Sequence, residues 1–162
     1  MSLESVRAFF AEKAPDIAVI ESPISSATVA LAAQAYGVEP GRIGKTLSLR
    51  VGGRVVLVVT SGTARMDNKK VKARFGGKPK MLDAGEVAEI TGHEVGGVCP
   101  FGLKTPLPVY CDVSLQAFDE VVPAAGSTHS AVRIAPLRMA ELTSAEWVDV
   151  CQVAAEAPLT PG

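Results

Sequence analysis

The chain has 162 residues, of which 48% are apolar and 20% charged, and its formal net charge at pH 7 is −1. This length and composition predict one globular domain with a buried core, and they exclude an intrinsically disordered chain. The near-neutral charge excludes a global basic field for nucleic acid but is compatible with a local basic patch.

The start of the chain predicts an amphipathic helix. Apolar residues recur at helical spacing from Leu3 to Phe10 behind a candidate N-cap at Ser2, and Pro15 ends the pattern. There is no long apolar h-region of a secretory signal and no window of eighteen uninterrupted apolar residues. We therefore expect a soluble, cytoplasmic protein without a membrane partner.

A short strand is predicted at residues 17–22, followed by an alanine-rich helix at residues 27–37. Ser25 or Ser26 is the expected N-cap of this helix, and Gly37 is expected to end it. The helix contains few polar residues, so it is predicted to be mostly buried.

The strongest hairpin pattern lies at residues 45–61. Gly52 and Gly53 separate two strand-like runs and can supply the positive φ angles of a tight turn. The second run is apolar on both faces, which predicts a central strand. Lys45, at the start of the first run, is either a solvated surface lysine or a cation that holds an anionic group such as a phosphate.

A basic segment follows at residues 65–80, where seven basic side chains stand against one acidic side chain. Asp67 or Asn68 is expected to cap a helix here, and two glycines close it. Such a run is either a solvated helix face or a contact surface for a phosphate backbone. The candidate contacts to such a backbone are Lys69, Lys70, Lys72 and Arg74.

After a brief strand and a short helix comes a segment, residues 92–108, that holds four glycines and three prolines. It can be neither an ordinary helix nor an inner strand, so a shaped loop is predicted. The loop is either purely structural or a ligand site. In the second case residues 96–100 bring backbone N–H and C=O groups close to a carbonyl or a hydroxyl.

Three strand-like runs are predicted between residues 108 and 135, and one or two helices between residues 136 and 157. A polar turn joins two of these runs and contains Gly126, Ser127, His129 and Ser130. Such turns are common hairpin connections, so this one has a functional meaning only if the fold brings it to Lys45 and the loop.

Helices inserted among hairpins predict an α+β fold. We expect a single compact domain over residues 1–155, with a curved mixed, largely antiparallel sheet flanked by helices. Residues 156–162 are expected to form a flexible tail.

The three cysteines, Cys99, Cys111 and Cys151, are far apart in the sequence and predict free thiols in a reducing compartment. Cys99 lies six residues after His93, so a thiol hydrolase with His93 as base is one alternative. The two histidines and three cysteines have no metal-ligand spacing, and we expect neither a metal nor a cofactor.

Three stretches together resemble the YbaK family, also called the prolyl-tRNA synthetase-associated editing domain family. They are GRIGKTLSL, VGGVCPFGLKTPLP and AGSTHSAVRI, in this order within residues 25–142. The resemblance implies a compact domain that hydrolyses the ester between a wrong amino acid and the terminal adenosine of its tRNA. It implies a mischarged tRNA as the partner, with an aminoacyl-tRNA synthetase as a further candidate.

The family's lysine falls on Lys45, which the resemblance implies anchors a phosphate or the 3′-end of the substrate. The family's loop falls on residues 96–100, so Gly96, Gly97, Val98 and Pro100 are the other candidate catalytic positions. Candidate walls of the pocket are Thr28, Leu31, Leu47, Val98 and Phe101, and the polar turn adds Gly126, Ser127, His129 and Ser130.

The predicted function is therefore a trans-acting aminoacyl-tRNA deacylase that removes a small wrong amino acid, such as alanine, serine, cysteine or threonine, from tRNA-Pro or a similar tRNA. A non-catalytic module that only binds tRNA or a synthetase is the second hypothesis, and the Cys99 thiol hydrolase is the third.

Overall fold

A computed structural model describes residues 2–153 of the protein. The predicted tail at residues 156–162 lies outside the described residues, as do the last two residues of the predicted domain. The helices in this part are α1 (Ser2–Lys13), α2 (Val29–Tyr36), α3 (Asn68–Phe75), α4 (Ala84–Thr91) and α5 (Pro136–Thr143). The strands are β1 (Ile20–Glu21), β2 (Ile43–Val51), β3 (Arg54–Ser61), β4 (Ala64–Met66), β5 (Lys80–Met81), β6 (Val109–Asp112), β7 (Val122–Pro123), β8 (Ser130–Ala131), β9 (Glu146–Val148) and β10 (Cys151–Val153).

The hairpin of β2 and β3 is confirmed, and it forms the centre of the main sheet. Gly52 and Gly53 have φ angles of 59° and 82°, and Val51 pairs with Arg54 across the turn. These positive angles suit glycine because it has no Cβ atom.

The main sheet has six strands and is mixed, as predicted. Its order is β5-β2-β3-β6-β9, and β7 also pairs with β2. β2 is antiparallel to β3 and β5, whereas the β7–β2, β3–β6 and β6–β9 pairs are parallel. Two small antiparallel pairs, β1–β8 and β4–β10, complete the α+β fold.

The N-cap of α2 differs from the prediction. The cap is Thr28, whose hydroxyl accepts a hydrogen bond from the Leu31 N–H. Ser25 and Ser26 are engaged elsewhere, because the Ser25 hydroxyl accepts from the Ala27 N–H and the Ser26 hydroxyl donates to a distant carbonyl. The predicted end of the helix is confirmed, since Gly37 is left-handed with φ 66°.

The predicted closing helices are wrong between residues 144 and 153, and residues 154–157 of that prediction lie outside the described residues. Helix α5 ends where Ser144 adopts a left-handed φ of 56°. The chain then forms β9, which pairs with β6 through Trp147 and Val148, and β10, which pairs with β4. Val148 is buried and Asp149 exposed, so the apolar residues here cover a sheet edge instead of a helix face.

The sheet packs on both faces because side chains alternate along β3. Leu57 and Val59 belong to a core cluster with Val6 and Phe10 of α1. Val56 and Val58 point to the opposite face, where the cluster includes Val71 of α3. A third, small cluster forms around α2; its buried members are Ala32, Ala33, Tyr36, Ile43, Val122 and Ala131.

The outer edge of β2 is only partly covered, and this positions the site. β7 pairs with Ile43 and Gly44 at one end, and β5 pairs with Leu49 and Arg50 at the other. Among the described residues, no strand pairs with residues 45–48 on that side. The Ser48 carbonyl accepts the Leu82 N–H at 3.1 Å on this edge. Because backbone groups alternate sides along a strand, the N–H and C=O of residue 46 also point outward here.

Candidate functional site

A cleft of about 250 Å³ lies against the open edge of β2. Its other walls come from α2, from the glycine-rich loop and from the segment that carries β7 and β8. Three regions that are distant in sequence thus share one hollow. Predicted site residues that line it are Thr28, Lys45, Gly96, Val98 and Ser130.

Lys45 is the only charged residue among the lining residues that the structure describes. Its side chain is half-buried, and within residues 2–153 it has no ion-pair partner. Most other lining residues are apolar or carry hydroxyl groups. A single cation in such a neutral hollow favours an anionic group of a ligand beside it.

The loop and the polar turn are in direct contact. The Gly126 N–H donates to the Gly97 carbonyl at 3.0 Å, and the Gly97 N–H donates to the Glu94 carbonyl at 2.9 Å. A Cβ atom on Gly97 would lie 2.7 Å from the backbone nitrogen of Ser127. Glycine is required here because two backbone segments approach each other so closely.

Two of the candidate catalytic positions in the loop have an unused backbone donor. Within the described part of the chain, the N–H groups of Gly96 and Val98 donate to no acceptor, and both residues line the cleft. Gly96 has φ 95°, a left-handed value that favours glycine. The other candidate positions differ, because Gly97 uses its N–H internally and Pro100 has none. Among the candidate catalytic positions of the loop, Gly96 and Val98 are therefore the two that can present N–H groups to a ligand.

The polar turn is held by its own side chains. The Ser127 and Ser130 hydroxyls are 2.7 Å apart, and the His129 N–H donates to the Ser127 hydroxyl at 3.2 Å. The Ser26 hydroxyl donates to the Thr128 carbonyl at 3.0 Å, which connects the turn to the segment before α2. Ser130 lines the cleft, whereas the exposed His129 does not.

Two buried hydroxyl oxygens of the cleft have no hydrogen-bond partner within the described residues. They belong to Tyr36 and Thr46. Thr28, Ala32 and Tyr36 follow one another at intervals of four residues, and all three line the cleft. This spacing places them on one face of α2. This repeat could have been read from the sequence, but neither hydroxyl was predicted as a site residue.

Cys99 and His93 do meet, but in the core and not in the cleft. The Cys99 sulfur lies 3.6 Å from the His93 Nε2, and both side chains are completely buried. Burial raises the pKa of the Cys99 thiol to about 12. The thiol therefore stays protonated and out of reach of solvent, which argues against a thiol hydrolase.

His93 has a structural role. Its Nε2 donates to the Phe101 carbonyl at 2.8 Å, and its Nδ1 lies 2.8 Å from the Ser2 hydroxyl. The Ser2 hydroxyl also contacts the Gly126 carbonyl. This arrangement ties the start of α1 to both the loop and the polar turn.

Three predicted wall residues do not line the cleft. Phe101 is completely buried in the cluster with Phe10, because the loop turns its aromatic ring into the core. Leu47 packs on the cluster that contains Val58, on the α3 side of the sheet. Leu31 is 40% exposed on α2. Four further candidates, Gly97, Pro100, Gly126 and Ser127, support the loop and the turn from behind the lining residues.

The basic helix α3 carries some cationic side chains that form ion pairs and others that do not. Lys70 lies 3.1 Å from Asp149, and Arg74 pairs with Glu146. Lys69 and Lys72 are exposed and make no ion pair within the described residues. Their contact with tRNA remains a prediction.

Residues 2–153 contain no group of three or more His, Cys, Asp or Glu side chains that could hold a metal ion. Over the same residues, every helix is too short or too polar to cross a bilayer.

Comparisons with known proteins agree on one family. The sequence model of the aminoacyl-tRNA editing domain matches residues 25–142. The chain is 49% identical over 154 residues to the "Uncharacterized protein YwhH" of Bacillus subtilis, covering 94% of this chain and 98% of that protein. It is 31% identical over 121 residues to the "Putative Cys-tRNA(Pro)/Cys-tRNA(Cys) deacylase EbsC" of Enterococcus faecalis, covering 73% of each.

A solved structure has the same fold. It is described as that of "a putative trans-editing enzyme for prolyl tRNA synthetase" and has a TM-score of 0.86 and 34% sequence identity. The match covers 93% of this chain and 97% of that one.

Proposed function

The chain belongs to the aminoacyl-tRNA editing domain family, and we propose that it is a deacylase that hydrolyses the ester bond of a mischarged tRNA. The observation that carries this proposal is the shared cleft of Lys45 and the loop residues Gly96 and Val98. Lys45 and loop residues with unused backbone donors line the same cleft, which suits a substrate with phosphates next to an ester.

In the proposed complex, Lys45 pairs with a phosphate near the 3′-end of the tRNA. The half-buried position strengthens this attraction, because a charge pair interacts more strongly where water is partly excluded. The ester carbonyl then lies beside the loop.

The chemical step is the attack of water on the ester carbonyl carbon. The N–H groups of Gly96 and Val98 stabilise the negative charge that develops on the carbonyl oxygen. The bond between the carbonyl carbon and the ribose oxygen breaks, and that oxygen takes up a proton from the water. The products are a free amino acid and an uncharged tRNA.

In the proposed mechanism the cleft aligns the water and the ester, and it provides no general base. No Asp, Glu or His side chain is among the lining residues within residues 2–153. An aminoacyl ester is already activated, so alignment of water and ester can supply the rate. A hydroxyl of the substrate's own ribose is the candidate group that assists the water.

The proposed substrate carries a small wrong amino acid, on tRNA-Pro or a similar tRNA in the cytoplasm. The cleft is small, and its lining includes Ala27, Ala32 and Ala131 beside larger aliphatic residues. A pocket of this kind sorts side chains mainly by size.

We expect Lys45→Ala to lower kcat/KM for a mischarged tRNA by roughly 10- to 100-fold, because one charge-assisted contact contributes about 1.5–3 kcal/mol. The assay measures amino acid released from a panel of mischarged tRNAs. The matched control is Lys13→Ala, which removes an exposed lysine at the end of α1. Wild-type hydrolysis by a folded Lys45→Ala variant would contradict the role of Lys45.

The same panel separates the proposal from a binding module. A protein that binds mischarged tRNA but releases no amino acid above the buffer rate is the non-catalytic module of the second hypothesis.

A further inference from the structure

The hydroxyl of Tyr36 is buried at the cleft without a hydrogen-bond partner. Tyr36 is only 7% exposed, and it lines the cleft. Ser26 lies close enough to lower the pKa of Tyr36, but its proton is donated to the Thr128 carbonyl, and the two hydroxyl groups do not meet the geometry of a hydrogen bond. The oxygen of Thr46, on the strand that faces α2 across the cleft, is likewise buried and without a partner in the described part of the chain.

Such groups are costly in a folded protein. A buried hydroxyl that makes no hydrogen bond costs about 1–3 kcal/mol relative to one that does. Most buried side-chain polar atoms are therefore satisfied, and an exception at a cleft indicates a partner supplied by a ligand. Burial raises the pKa of Tyr36, and the neighbouring Ser26 hydroxyl opposes this rise only partly. The hydroxyl hence keeps its proton and can both donate and accept.

The surroundings of Tyr36 restrict what that partner can be. Tyr36 belongs to the small apolar cluster around α2, and the cluster members Ala32, Ile43, Val122 and Ala131 also line the cleft. These side chains offer contact to a small apolar group and no charge to an ionic one. A ligand group that fits here is compact and apolar apart from one neutral hydrogen-bonding atom.

Only one part of an aminoacyl-tRNA has these properties. A phosphate is charged and has Lys45 as its partner, and the α-ammonium group is a cation whose desolvation against an apolar wall is costly. The adenine ring is large and carries several polar atoms, and the free ribose hydroxyl beside the ester is the candidate group that assists the attacking water. The side chain of the amino acid remains, and it must bear a hydroxyl group to satisfy the tyrosine.

We infer that Tyr36 is a specificity-determining residue that hydrogen-bonds the side-chain hydroxyl of the acyl group, so that the preferred substrates are seryl and threonyl esters. This inference rests on the proposed function and narrows it. A site built to hydrogen-bond a hydroxyl strongly rejects an analogue that lacks it, because the buried group of the protein is then left unpaired. Thr46 is the second candidate partner for the same hydroxyl.

The test compares isosteric amino acids carried by one and the same tRNA. Seryl is paired with 2-aminobutyryl, and threonyl with valyl, so that each pair differs in a hydroxyl and hardly in size. We expect the wild-type kcat/KM to favour the hydroxyl-bearing ester by at least about tenfold in each pair. In Tyr36→Phe, which keeps the aromatic ring, we expect this ratio to fall about tenfold.

The chain offers a matched control in its only other tyrosine. Tyr110 packs against Phe75 on the α3 side of the sheet, away from the cleft. Tyr110→Phe makes the same chemical change and is expected to keep the wild-type ratio.

The outcomes are distinguishable. Equal hydrolysis of both members of each pair by the wild-type protein would overturn the inference and leave the deacylase function intact. A hydroxyl preference that survives in Tyr36→Phe would overturn the role of Tyr36. The absence of hydrolysis for every ester of the broader panel would overturn the proposed function itself.

Discussion

At the scale of single residues, the two histidines have opposite environments. His93 is completely buried between α1 and the loop, whereas His129 is exposed in the polar turn. Burial lowers the pKa of His93, and the hydrogen bond to the Phe101 carbonyl opposes this only partly. The neutral imidazole is therefore the form that the fold accommodates.

This environment predicts a loss of stability in mild acid. The unfolded chain binds a proton at His93 near pH 6.5, before the folded protein does, so the free energy of unfolding falls as the pH drops below about 6.5. One such group contributes a slope of at most about 1.4 kcal/mol per pH unit. Urea unfolding at pH 7.5 and pH 5.5 measures it.

The controls are the two histidine variants. His129→Gln should show the wild-type loss between the two pH values. His93→Gln should be less stable at pH 7.5 but lose less on acidification. The same pH dependence in all three proteins would count against a titrating His93.

At the scale of elements, the loop and the polar turn behave as one unit. The Gly126 N–H bond to the Gly97 carbonyl joins them, and His93 with Ser2 ties both to α1. The loop thus gains its shape from a neighbour about thirty residues away in the sequence. Its glycines and prolines alone do not determine that shape.

We expect Gly97→Ala to separate the two segments. The new Cβ would lie 2.7 Å from the Ser127 nitrogen and 2.8 Å from its carbonyl carbon, and backbone must move to relieve this contact. The expected cost is about 1–3 kcal/mol in the free energy of unfolding, with a loss of hydrolysis. Thermal unfolding and the release of amino acid measure the two effects.

Gly85→Ala is the control, because the added Cβ on α4 meets only Asp83 Oδ1 at an ordinary 3.5 Å. Its stability should equal or exceed that of the wild type. A Gly97→Ala protein with both properties intact would refute the coupling of loop and turn.

At the scale of the whole molecule, the net charge is close to zero, but the cationic side chains that form no ion pair are unevenly distributed over the surface. Helices α1 and α3 cover opposite faces of the sheet, and Lys69 and Lys72 of α3 are exposed without ion pairs in the described residues. Surface pairs such as Lys70 with Asp149 contribute little to stability but reduce the charge available to a ligand.

Lys72→Ala is therefore expected to weaken tRNA binding and to reduce the slope of log Kd against log salt concentration by about 1. Lys13→Ala on α1 should leave this slope unchanged. Titrations at several salt concentrations provide the measurement. An identical slope for wild type and Lys72→Ala would exclude a phosphate contact at this position.

Much of this architecture could be predicted from local sequence. The glycine pair at residues 52–53 fixes the hairpin, and the motifs around Lys45 and Gly96 identify two walls of the cleft. The closing strands were missed because the apolar residues from Trp147 onward fit a helix as well as a strand edge. Tyr36 and Thr46 were missed because the burial of their hydroxyl groups without a partner depends on the packing of α2 against β2, which is a long-range property, although the four-residue repeat that places Tyr36 on one face with Thr28 is visible in the sequence.

The open stretch of β2 has a consequence for solubility. An unpaired strand edge is a template on which other chains aggregate. Here β5 and β7 cover the edge on either side, and within residues 2–153 they leave only residues 45–47 without a backbone partner on this edge, which is less than the usual strand length of about five or six residues. The gap can receive a small molecule but is shorter than a typical strand, so this stretch keeps unpaired backbone groups available for a ligand while offering little edge to a foreign strand.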